Sequence, residues 1–145
     1  MKYNYSPEWT KKAREIAVLL EMNHIPAERI SVIESRGSKT RRTIARIHGL
    51  PKVMKLGMQQ DKAFYTIELI TELFHKQPEH EKIKTIIHEL LHIPENFGGG
   101  FRHHKPYVNH KTVDVAYGKL VAHPAYRKET EKLDSDMATA QTRIL

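Results

Sequence analysis

The sequence predicts an α+β domain, with a small, mainly antiparallel sheet packed on a histidine-bearing helix and flanking helices. Three observations carry this prediction. Apolar residues recur at helical spacing from about Pro7 to Asn23, from Pro78 to Ile93 and after Asn109. β-Branched and aromatic residues cluster between the first two segments, at Ile30 to Ser35 and Ala63 to Ile70. The 145 residues, 39% hydrophobic and 28% charged, suit one globular domain over 1–145 better than a disordered or fibrous chain.

Ser6-Pro7-Glu8 supplies an N-cap, a proline at the first helical position and an acid in the first turn. Trp9, Ala13, Ile16, Ala17 and Leu20 then share one face of the first helix. After Pro26, Ile30 to Ser35 reads as a short strand that Arg36-Gly37-Ser38-Lys39 ends with turn chemistry. Thr43 to His48 reads two ways: β-branched residues favour a strand, the charges around them disfavour a buried one, and Gly49-Leu50-Pro51 closes the segment. Ala63 to Ile70 is the clearest strand, followed by a polar turn, and a sheet of three or four strands is expected.

The second helix opens at Pro78-Glu79, carries a stripe of Ile83, Ile86, Ile87 and Leu90, and ends near Ile93-Pro94. Gly98-Gly99-Gly100 marks a flexible or tightly turning loop between Asn96 and Lys105. Asn109 is placed to cap a third helix carrying Val113, Tyr117, Leu120 and Val121, which His123-Pro124 kinks or ends. Residues 126–145 suit a loose C-terminal helix or tail.

Composition narrows the chemistry. With no cysteine, a disulfide framework, thiolate metal ligands and a cysteine nucleophile are excluded, and a metal site must be built from the ten histidines and the carboxylates. The longest early apolar run, Ile16 to Leu20, is far too short for a membrane span or a signal-peptide core and has Glu15 and Glu21 at its ends, so a cytoplasmic chain with no membrane partner is expected. The net charge of +7 favours contact with polyanions.

His88-Glu89-Leu90-Leu91-His92 lies inside the second helix, and four-residue spacing sets the two imidazoles one turn apart on one face. Two imidazoles so placed can grip one metal ion, while the isoleucine stripe anchors the opposite side. Glu89 sits beside that face, where its carboxylate can accept a proton from a metal-bound water without being a ligand. This is the zincin pattern, and it points to Zn2+. A catalytic zinc needs a third protein ligand, for which His103, His104, His110, Glu95 and Asp114 are candidates. Pro94-Glu95-Asn96-Phe97 excludes the metzincin arrangement, which requires glycine and a third histidine shortly after the pair. His24, His48, His75, His80 and His123 read as solvated or helix-terminal residues.

The stretch from His88 through Gly98-Gly99-Gly100-Phe101-Arg102-His103-His104 to Tyr107-Val108-Asn109 resembles a metallopeptidase family found in archaea and some phages. Ser35-Arg36-Gly37-Ser38, Ala45-Arg46-Ile47-His48-Gly49-Leu50-Pro51 and Tyr65-Thr66-Ile67-Glu68 resemble the blocks that precede its motif, so the likeness spans roughly 30–110. Met54-Lys55 departs from it where an aromatic and a polar residue are expected. At greater distance the chain is similar to SprT-like and other compact zincins. The resemblance implies a zincin-like fold and zinc-dependent hydrolysis of a peptide or protein substrate. Gly99, Gly100, Arg102 and His104 match the family's glycine pair, basic residue and histidine, which implies His104 as third ligand, with His103 the alternative. Tyr107 and Arg102 are candidate transition-state stabilisers. In zincins the peptide commonly pairs with an edge strand, and Ala63 to Ile70 is the candidate, unless it is internal to the sheet.

Arg36, Lys39, Arg41, Arg42 and Arg46 lie in a stretch, residues 35–60, without an acidic side chain, and are candidates for binding nucleic acid or another polyanion. Aromatic residues are scarce in that stretch, which argues against base stacking there. Two other readings follow: a basic nucleic-acid-associated protein with a structural or latent zinc, and a metal-dependent hydrolase of a non-peptide substrate. The polar segment Asp134-Ser135-Asp136 is a candidate for folding back over the cleft.

Overall fold

The structure is a computed structural model that describes residues 1–130 and 132. It opens on a strand, β1 (Lys2–Tyr5), followed by α1 (Pro7–Leu19), a 3-10 turn at Ala27–Arg29, β2 (Ile30–Arg36) and β3 (Ala45–Gly49). Helix α2 (Lys52–Gly57), β4 (Tyr65–Ile70) and the short α3 (Thr71–Phe74) come next. Helix α4 (Glu79–Leu91), the helical turn α5 (His104–Tyr107) and α6 (His110–Ala122) complete the order. Residues 124–130 are helical again after the break at His123. Asp134, Ser135 and Asp136 lie outside the described residues.

The sheet runs β1-β2-β4-β3. β1 pairs antiparallel with β2 and β3 with β4, so the sheet is mainly antiparallel as expected, and the parallel pairing of β2 with β4 makes it mixed. A parallel pair needs a long connection, and here it passes through β3 and α2. β4 is internal, held by β2 on one side and β3 on the other. The expectation that Ala63 to Ile70 presents its edge to a peptide is therefore corrected. The edge beside the histidine helix belongs to β3, the segment whose charge disfavoured a buried strand. Its alternating exposure suits an edge with one wet face.

Four elements had no counterpart in the sequence reading: β1, α2, and the short helices α3 and α5, which fall at segments read as a polar turn and a loop. β1 is exposed along its whole length, so it lacks the half-buried alternation that signals a strand. α2 buries no residue and has no side-chain cap, so it shows no amphipathic stripe toward a core. Elsewhere the local chemistry acts as expected. The Ser6 hydroxyl accepts from the Trp9 amide at 3.2 Å, although α1 stops at Leu19, one turn short of Asn23. Asn109 and Thr112 form a reciprocal capping box at the start of α6.

One core cluster joins Trp9, Ala13, Ile16 and Ala17 of α1 to Ile30, Val32, Tyr65, Ile67 and Leu69 of the sheet and to Ile83, Ile86, Ile87 and Leu90 of α4. Fully burying one such aliphatic side chain contributes about 1.5–3 kcal/mol. The stripe on α4 therefore fixes that helix against one sheet face and leaves His88 and His92 at its margin. Among the described residues, no helix is long and apolar enough to cross a membrane.

Candidate metal centre

α4 positions two of the three histidines. Its buried face holds Ile83, Ile86, Ile87 and Leu90, so His88 and His92, one turn apart, stand half-buried side by side, their ring centroids 5.1 Å apart. Pro94 follows, and the chain turns back through Phe97 and Gly99, both at positive φ (47° and 100°). A side chain at Gly49 would press on this loop, since a Cβ there would lie 2.9 Å from the Gly99 carbonyl oxygen.

Tyr65 pins the loop to the sheet. Its hydroxyl accepts from the Gly99 amide and donates to the Gly100 carbonyl, both at 2.8 Å, while Phe97 and Phe101 pack edge-on against its ring at 5.0 and 5.7 Å. Beyond the loop, the Arg102 amide donates to the His92 carbonyl at 2.7 Å. The His92 Nδ1–H donates back to the Arg102 carbonyl at 2.8 Å. Two residues later His104 arrives over α4, its ring 4.8 Å from His92 and 5.6 Å from His88.

Among the described residues, His88, His92 and His104 form the one group of three metal-ligating side chains, their ligand atoms within 4.8 Å of one another. Three imidazoles without thiolate suit Zn2+ better than Ca2+ or Mg2+, which prefer oxygen. The bond to the Arg102 carbonyl fixes the His92 tautomer and leaves Nε2 as its free lone pair, the usual support of a histidine ligand. Burial, then the neighbouring His92, His104 and His110, pushes His88 down to about 4. Burial and the charge of His104 lower His92, against the bond to Arg102. Both shifts favour the neutral form that can bind a cation.

Glu89 is 6% exposed. Burial alone pushes its carboxyl up to about 7. It lines a cleft of about 680 Å3 together with His88, His104, His110 and the Thr43–Ala45 segment leading into β3. A carboxyl poised near neutrality beside three imidazoles can take up and return a proton at ordinary pH.

The other sequence candidates are placed as follows. His103 precedes α5, exposed and outside the histidine group, and His110 lines the cleft without joining that group. Glu95 pairs with Arg102 at 2.9 Å, and Asp114 pairs with Lys84 at 3.1 Å across one wall of the cleft. The Arg102 guanidinium also sits 5.2 Å over the Tyr107 ring, and neither residue is among those lining the cleft. Arg36, Lys39 and Arg41 are exposed in or beside the β2–β3 connection, Arg42 lines the cleft, and Arg46 lies on β3 against Glu68, so the five do not make one patch. The sequence reading missed Tyr65, the anchor of the glycine loop. A strand tyrosine facing a downstream Gly-Gly-Gly run was its only signal.

No curated protein and no solved structure is similar enough to match the chain. Residues 1–137 match the model of the family described as "Putative phage metallopeptidase", and the chain belongs to that family.

Proposed function

We propose that this chain is a zinc-dependent peptidase in which His88, His92 and His104 hold the ion and Glu89 is the general base. The observation that carries the reading is geometric: His88, His92 and His104 bring their ligand atoms within 4.8 Å of one another, and the buried Glu89 shares a cleft with His88 and His104. Membership of a metallopeptidase family supports a peptide or protein substrate and a metal-dependent hydrolysis. When bound, zinc supplies Lewis acidity, which makes water a nucleophile at neutral pH and polarises a carbonyl. Glu89 takes the proton of the attacking water and returns it to the leaving nitrogen. His92, held by the Arg102 carbonyl, keeps its ring aimed into the site.

An extended peptide fits along β3, whose outer edge has no strand partner in the sheet and whose approach, Thr43 to Ala45, forms a wall of the cleft. A structural zinc site closes with four protein ligands. The group found among the described residues offers three, which leaves a position open for chemistry. The test is Glu89→Gln on zinc-loaded protein with an unstructured protein as substrate. Zinc content is expected to stay stoichiometric while kcat/KM falls by about a hundredfold or more. Undiminished hydrolysis would remove Glu89 from the base role, and a zinc-loaded wild type that cleaves no peptide bond would overturn the peptidase reading.

A further inference from the structure

The sheet has a second face, opposite the one that carries the core. Strand alternation places Tyr3 and Tyr5 of β1 there, together with Arg46 and His48 of β3, the two edges of the sheet. Three interstrand spacings, about 14 Å, separate those edges. Tyr3 and Tyr5 are 58% and 57% exposed, large aromatic rings turned to water with no core to serve.

The acid that the strands place on this face is Glu68, and it is withdrawn from solvent. It accepts from the Ser35 hydroxyl at 2.7 Å and from His48 at 2.8 Å, with the Arg46 guanidinium 3.9 Å away. Solvent therefore meets cationic and aromatic groups while the carboxylate lies covered beneath them. Beside His48 opens a cavity of about 310 Å3, lined also by Thr66, Phe64 and Arg29. Arg29 lies 5.3 Å over the Phe64 ring and is braced by the carbonyls of Lys62 and Ala63, both at 2.9 Å. The guanidinium covers that face of Phe64 and sets a fixed positive charge at the cavity wall.

We propose that this face binds single-stranded nucleic acid. Bases stack on Tyr3 and Tyr5 at one edge and lie against His48 and the cavity beside it at the other, while Arg46 and Arg29 meet the phosphates. Stacking planes serve unpaired bases, whose faces a duplex keeps stacked on one another. Charge favours the same ligand: the chain carries +7, and this face presents Arg46 while its acid, Glu68, is buried. The aromatic rings scarce in 35–60 come from elsewhere in the chain: the fold sets Tyr3 and Tyr5 on the same sheet face as Arg46 and His48. The face lies across the sheet from the histidine cluster, so the proposal stands apart from the peptidase reading.

The test uses the full chain and fluorescence anisotropy with labelled oligothymidine, oligouridine and a duplex of matching length. Binding of at least one single strand is expected, tighter than of the duplex and weakening as salt rises. Tyr3→Thr with Tyr5→Thr, which keeps strand propensity, should weaken it about tenfold or more, and Tyr3→Phe with Tyr5→Phe should restore it. Zinc content is expected to be unchanged in both variants. Absence of binding at low salt, equal affinity for the duplex, or threonine variants that bind as wild type would each overturn the proposal.

Discussion

His92 and Arg102 are joined by two hydrogen bonds, amide to carbonyl at 2.7 Å and imidazole Nδ1–H to carbonyl at 2.8 Å. The pair closes the Gly98–Gly100 excursion on the end of α4 and delivers His104 two residues later. Both bonds use the Arg102 backbone, and its side chain turns instead to Glu95, itself 78% exposed. Arg102→Ala is therefore expected to keep its zinc and to cost on the order of 1–2 kcal/mol in a urea melt, for an exposed ion pair and the cation–π contact with Tyr107. Metal loss in that variant would show that the guanidinium, not the backbone, holds the loop.

His104 and His103 are adjacent in sequence, yet only His104 has its ligand nitrogen within reach of His88 and His92. Removing one of three ligands should weaken zinc binding by at least about a hundredfold, more than loss of a supporting hydrogen bond. His104→Ala is expected to lose zinc in competition with a chelator, and His103→Ala to keep it. The reverse order would reassign the ligand.

Tyr65 connects the sheet to the metal-site loop through one hydroxyl. Tyr65→Phe preserves the ring contacts with Phe97 and Phe101 but strips the Gly99 amide and the Gly100 carbonyl of their partner. A loss of about 1–3 kcal/mol is expected. Zinc affinity should fall with it, because His104 rides on the same loop. Differential denaturation with and without zinc checks both, and a variant as stable and as tight-binding as wild type would show that the glycines hold their turn unaided.

The elements legible in the sequence are those with a core to face. α1, β2, α4 and α6 show periodic apolar residues or caps, and His88, Glu89 and His92 follow from helical spacing alone. β1 and α2 were invisible for the converse reason, since neither buries a residue. Strand order is a long-range property, which is why Ala63 to Ile70 could be read as a strand and still be misplaced at an edge. The doublet His103-His104 could not be resolved from composition or spacing, since the choice depends on where Tyr65 and Arg102 fix a loop from two distant elements.

Glu89 and His88 pull the metal-free protein in opposite directions with pH. The Glu89 carboxyl, raised by burial from 4.5 to about 7, contributes stability that is fully present below 4.5 and is lost as pH rises through about 7. His88, lowered chiefly by burial from 6.5 to about 4, contributes stability present above 6.5 and lost as pH falls toward 4. Between 4.5 and 6.5 the two slopes oppose, so stability there should vary little. Glu89→Gln removes one of them. At about pH 8 the metal-free variant should be more stable than wild type by on the order of 3 kcal/mol, and below about pH 4.5 that advantage should vanish. Urea titrations under chelator across this range check it: a wild-type–variant difference that stays constant with pH would mean that Glu89 keeps an ordinary carboxylate affinity for its proton in the metal-free protein.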